Sequence, residues 1–221
     1  MEHDTSLEER WIRVGIVAGF VACISYPVMS FVSMPLMAVL TVGSAFGPSL
    51  GIASVGLYYF FRLERETVAG QIGAIANLLA GALVTAMILV QLAIEVPQLK
   101  HIEQFGKDES VQTMVRWIWK VDLGLDVAFD VFIGIGTFCF GLRMMKHPKF
   151  GALFGVVGMV IALVGLLGLN FYTFPNPPGE SGFAAFEPGL YTGLWYLAVT
   201  IQMWRSLKWV RETGGQSQEM K

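Results

Sequence analysis

Charge is scarce in this sequence. Asp, Glu, Lys and Arg make up 14% of its 221 residues, against about 25% in soluble domains. That shortfall excludes an ordinary water-soluble globule. The complementary excess, 54% hydrophobic residues with a mean hydropathy of +0.59, comes in runs of about 20, the length of a bilayer span. Histidine is scarcer still. His3, His101 and His147 are the only three, and all sit in polar tails or loops. This excludes haem held by paired histidines between helices and a buried histidine-ligated zinc centre. Aspartate oxygens with His101 would be the only donors left for a metal, and we expect no metal and no cofactor. The two cysteines, Cys23 and Cys139, each fall inside an apolar run, so no disulfide framework is implied. No H-E-x-x-H and no Walker sequence occurs. No basic patch with interleaved aromatics points to nucleic acid.

What is present is a series of hydrophobic spans. Residues 1–10 carry Glu2, Asp4, Glu8 and Glu9 and lack the basic start of a cleavable signal. They read as a short segment ahead of a retained first span. Ser6-Leu-Glu-Glu9 has the spacing of a capping box, so a helix starts near Leu7. The first span runs from Trp11 to about Phe31, with Gly15, Gly19 and Cys23 as a small-residue stripe and Pro27 as a kink. Ser30 to Pro35 reads as a turn, and a second span follows from Leu36 to Phe61. It contains Gly47-Pro48, a helix break of the kind that lines sites in transporters.

The third span, Thr67 to about Val96, places Gly70, Ala74, Asn77, Gly81, Ile88, Gln91 and Glu95 on one side. That side should face protein, with Asn77 and Gln91 as polar packing groups between helices. A polar connection follows, and helix resumes near Ser110. Arg116, Trp117, Trp119 and Lys120 form an interface belt before a fourth span that ends at Met145. The fifth span, Phe150 to Tyr172, carries a seam of Gly151, Gly155, Gly158, Ala162 and Gly165. The last runs from Leu190 to Trp204. The organisation is therefore a segment at 1–10, one six-helix all-α transmembrane domain at 11–211, and a disordered polar tail at 212–221.

Six spans put both termini on one side. Arg10, Arg13, Arg62, Arg65, Arg143, Lys146, Lys149, Arg205, Lys208, Arg211 and Lys221 fall on that side, eleven of the fifteen basic residues. The other four, Lys100, Lys107, Arg116 and Lys120, fall opposite. The positive-inside rule then places both termini in the cytoplasm.

The fourth span holds the chemically informative pattern. Asp122, Asp126 and Asp130 recur every fourth residue and so form a stripe about 12 Å long on one helix face. Carboxylates entering a hydrocarbon-length segment are costly and mark proton or ion pathways. Asp130 lies within the span however its ends are drawn. Asp126 and Glu95 form an outer approach to it, and Asp122 completes the candidate proton or cation pathway, although by itself it also reads as a hydrated helix end.

Several stretches carry a resemblance: Asp126-Val-Ala-Phe-Asp130-Val-Phe, Met145-Lys-His-Pro-Lys-Phe150, Asn170-Phe-Tyr-Thr-Phe-Pro175 and Gly193-Leu-Trp-Tyr-Leu. Together they resemble uncharacterised bacterial multi-spanning membrane proteins grouped as a domain of unknown function. The resemblance implies a bacterial cytoplasmic-membrane setting and attaches no activity. The expected function is a small transporter or ion-conducting protein that uses Asp130 for proton or cation coupling. The alternative is a non-catalytic subunit or sensor that binds a membrane partner, or a second copy, through its glycine-rich faces.

Overall fold

A computed structural model describes residues 5–100, 109–169 and 188–219. The described residues form seven helices and no strand. They are α1 (Thr5–Phe31), α2 (Leu36–Arg62), α3 (Val68–Lys100), α4 (Glu109–Met144), α5 (Gly151–Val160), α6 (Pro188–Arg205) and α7 (Leu207–Glu219). A π-helical stretch, Ile161–Leu169, continues α5. Five helices (α1 to α4, and α5 with its continuation) are long and apolar enough to cross a membrane. The chain is a multi-pass membrane protein by that measure. The 18-residue α6 is not among the five.

Local sequence explains the boundaries. Pro35, with φ −57° and ψ 146°, precedes the first turn of α2, where a missing N–H costs nothing. Pro27 and Pro48 lie inside α1 and α2. In a membrane span, neighbouring helices and hydroxyls offset the lost hydrogen bond. At the expected break α2 runs on as helix from Leu36 to Arg62. Gly47 is buried in the crossing with α3, where a Cβ on Gly81 would lie 2.5 Å from the Gly47 carbonyl oxygen. Pro48 is exposed. Gly47 thus shapes the close α2–α3 contact.

Glycine contacts of this kind hold the bundle together. In lipid there is no hydrophobic force between helices, so close backbone approach and van der Waals contact must supply the attraction. On α1, Gly15 meets Gly56 of α2, Gly19 meets Thr200 of α6, and Cys23 donates to the Gly193 carbonyl at 3.8 Å. Gly141 of α4 faces Gly155 of α5, and Gly158 faces Trp195 of α6. Gly151 departs from the expected seam. Its φ of +77° and open surroundings make it the turn into α5, at the helix's first residue, a conformation glycine adopts without steric penalty.

The α3–α4 hairpin has a constant antiparallel register. Gly73 packs on Phe140, Asn77 on Gly136, and Gln91 on Asp122. As one number rises the other falls by the same amount, across a length of about 27 Å. The polar side of α3 faces protein along this line. Ala74, Asn77 and Ile88 are buried, while Ile72, Ile75, Leu78 and Leu89 are exposed.

One end of the bundle is basic. Arg143 donates to Glu64 at 2.9 Å, and Arg62 lies 3.5 Å from Glu8. Arg211 of α7 lies 3.5 Å from Glu9 of α1, so the first and last helices meet at the same end. Helix α7 follows α6 at the same end and runs Leu207–Glu219. Val210 is buried, and the Trp209 ring packs against His147. Both residues lie near the start of α7.

Substitution at the tightest crossing separates packing from composition. Gly56→Val should lower resistance to unfolding in mixed detergent by about 1–3 kcal/mol, because its Cβ would meet Gly15 and Trp11 backbone atoms. Gly124→Ala, where a Cβ meets nothing within 4 Å, should leave it unchanged or raise it by up to about 1 kcal/mol.

Candidate functional site

Polar side chains inside the bundle occur at three levels, one above another along α4. At the end opposite the basic one, Asp122 is 6% exposed. Gln91 Nε2 of α3 donates to its Oδ2 at 3.0 Å, and its Oδ1 is buried without a partner. The hydrated helix end expected for Asp122 is thus corrected: the α3–α4 register covers it. Asp126 and Asp130 are half-buried. Glu95 lies one turn beyond Gln91 on α3, and its side chain is outside the described residues, as is His101.

The direction of the stripe follows from the contacts of α4. Asp122, Gly136 and Phe140 face α3, while Gly134 and Gly141 face α5. Each four-residue step turns about 40° round the helix. Asp126 and Asp130 therefore occupy the sector between α3 and α5, the inner side of the bundle. Thr137, two turns beyond Asp130, lies in the same sector.

Thr137 opens the second level. Its hydroxyl is 2.9 Å from the Tyr196 hydroxyl of α6. Asn77 Nδ2 of α3 donates to Tyr196 at 2.8 Å and to the Ser54 hydroxyl of α2 at 2.9 Å. Ser54 in turn donates to the Leu50 carbonyl at 2.9 Å. Four helices meet at this point. Asn77 and Thr137 are fully buried, and Asn77 presses on Gly136 so closely that a Cβ there would overlap the amide. The centre of the bundle is filled.

The third level is at the basic end. Arg143 is buried beneath the bundle rim and donates to Glu64 and to the carbonyls of Phe61 and Arg65. His147 is 1% exposed and is enclosed by Phe60, Phe61, Phe150 and Trp209. Its Nδ1 accepts the Lys149 N–H at 3.2 Å, and its Nε2 lies 3.7 Å from Glu64 Oε2. Burial, with the charges of Arg143 and Lys149 beside it, lowers the imidazole pKa to about 3. It is a neutral histidine at ordinary pH.

The structure brings Gln91 together with Asp122 and Asn77 with Tyr196, and it sets Gly47 against Gly81 and Thr85 of α3. Gly47-Pro48-Ser49-Leu50-Gly51 also has the G-x-S-x-G spacing of a hydrolase nucleophile. It lies within continuous helix and lacks the strand-to-helix turn that exposes such a serine. Sequence reasoning missed Ser54, Thr137 and Tyr196 as a set. Each is a lone hydroxyl in an apolar run, and that was the available signal. It also placed His147 in a polar loop, since nothing local announces the aromatic cage.

Comparison with protein-family models, with curated proteins and with solved structures finds no match.

Two outcomes follow from this geometry. Tyr196→Phe removes the hydroxyl that joins Asn77 to Thr137 and should cost about 0.6–1.7 kcal/mol in equilibrium unfolding. The second concerns pH. An unfolded histidine titrates near 6.5, whereas folded His147 stays neutral until about 3. The unfolded state therefore binds the extra proton between those values, and stability falls as pH drops through that window, by at most about 1.4 kcal/mol per unit. His147→Phe should flatten the acid-unfolding slope relative to wild type.

Proposed function

We propose that the protein is a small transporter of six spans that couples to a proton or cation through the α4 carboxylates. The single observation that carries this reading is a shared face: Asp122, Asp126 and Asp130 lead along α4 to Thr137 and the buried Tyr196–Asn77–Ser54 network. Depth supports it. Asp130 lies ten residues from Lys120 and thirteen from Arg143, about 15 and 20 Å along the helix. If those basic residues mark the two interfaces, the carboxyl sits near the middle of a hydrocarbon core about 30 Å thick. Carboxylates at such depth, facing the bundle interior, belong to proton and ion pathways.

The sixth span in this reading is α6. At 18 residues it is about 27 Å long, and its Tyr196 reaches α3 and α4 at the bundle centre. The Arg211–Glu9 contact at a common end suits an even number of crossings. The basic excess at that end favours cytoplasmic termini. The bacterial cytoplasmic membrane is taken from the motif resemblance alone.

The alternative, a subunit or sensor that docks through glycine faces, is less well supported. Gly15, Gly19, Gly47, Gly141, Gly155 and Gly158 already contact other helices of the same chain.

In reconstituted vesicles, Asp130→Asn should abolish proton or cation uptake under an imposed gradient, read with a pH- or ion-sensitive dye, while the helical content stays that of wild type. Uptake equal to wild type would remove Asp130 from the mechanism. No uptake by wild type under any gradient, with a stoichiometric membrane protein co-purifying from native membrane, would favour the subunit reading.

A further inference from the structure

We infer that the coupled ion is a proton and that Asp122, at the outer end of the stripe, carries it as a neutral carboxylic acid. This inference rests on the reading of the α4 carboxylates as a transport path. The three aspartates differ in environment. Asp126 and Asp130 are half-buried, whereas Asp122 is 6% exposed with its Oδ1 wholly covered. A covered carboxylate oxygen that accepts no hydrogen bond is an expensive place for negative charge. Burying an ionised carboxylate without a counter-charge costs far more than burying a neutral polar group short of one hydrogen bond.

The surroundings supply no such counter-charge among the described residues. From α3 the group facing Asp122 is Gln91, which is neutral. Glu95, one turn further along α3, could only add charge of the same sign. On α4 itself, Asp126 is one turn away and also acidic. Lys120 is two residues back in sequence, turned to another side, with its Nζ 4.8 Å from the Trp117 ring. Arg116 lies on the same outer side of the helix.

Size then discriminates between a proton and a metal cation. Oxygen-ligated cations take six or more ligands at 2.0–2.6 Å and need room beside each oxygen. The α3–α4 packing leaves Oδ1 no accessible surface for one. A proton requires none. Gln91 fixes Oδ2 through its N–H, which leaves Oδ1 as the atom that carries the hydrogen. The proton can leave only when the outer ends of α3 and α4 separate and water reaches the group. Proton binding is thereby tied to a change in hairpin packing, and Asp130 and Asp126 lie below it on the inward route.

Infrared spectroscopy of the full-length protein in lipid vesicles at neutral pH tests this without any flux. The wild type should show a carboxylic-acid C=O band that shifts on exchange into heavy water. Asp122→Asn should delete it, and Asp122→Glu, which keeps the acid, should move it. An acid region identical in wild type and either variant would mean that Asp122 is ionised, and the inference fails. That failure is separable from failure of the transport reading. Asp130→Asn vesicles that lose uptake while Asp122 proves ionised would overturn only the proton assignment. An acid band at Asp122 in a protein with no uptake would overturn only the transport reading.

Discussion

The register between α3 and α4 governs the rest of the bundle. It is set where Gly73 admits the Phe140 ring and where Asn77 presses on Gly136. With those contacts fixed, the helices' regular rise carries Gln91 to Asp122 at the far end. The same rotation that buries Asp122 turns Asp126 and Asp130 toward the bundle interior and brings Thr137 to Tyr196. One antiparallel pairing thus decides which carboxyl is covered, which two are part-open, and where the hydroxyl network lies.

The two ends of the molecule solve the problem of polarity differently. At the basic end, charge is neutralised by charge. Arg143 meets Glu64 and two backbone carbonyls, and four aromatic rings close round a neutral His147. At the other end, Asp122 has an amide for a partner in place of a cation. Between them the bundle centre is closed by uncharged groups donating to one another. The interior is thus acidic at one end, uncharged at the centre and aromatic at the basic end.

Much of the fold was legible in the residues. Proline at 35 and the small or polar side of α3 announced a helix start and a face that the structure repeats. Composition and run length alone established the membrane class. Less legible were the features that a tertiary contact sets. Gly47-Pro48 reads as a break by itself, yet the Gly81 backbone needs Gly47 in a continuous helix. The packing of Trp209 on His147 and the burial of Val210 could not be read from the polar run that follows them. Asp122 looked solvated because its covering residue, Gln91, is 31 positions away in the chain. No period within α4 could reveal that cover; only the hairpin register could.

The π-helical stretch after Val160 has a mechanical corollary. Hydrogen bonds from i to i+5 stack residues five apart, and Ile161 and Leu166 accordingly press on the same cluster around Ile133. In an ordinary α-helix the residue above Ile161 would have been Gly165. The stretch therefore works as a phase shifter: it lets a glycine-faced rod below and a leucine-faced rod above share one axis although their stripes are out of step. Losing a single residue here could be absorbed by tightening the coil, with both rods keeping their neighbours. The same loss anywhere in α3 would rotate every later side chain by about 100° and pull the hairpin out of step.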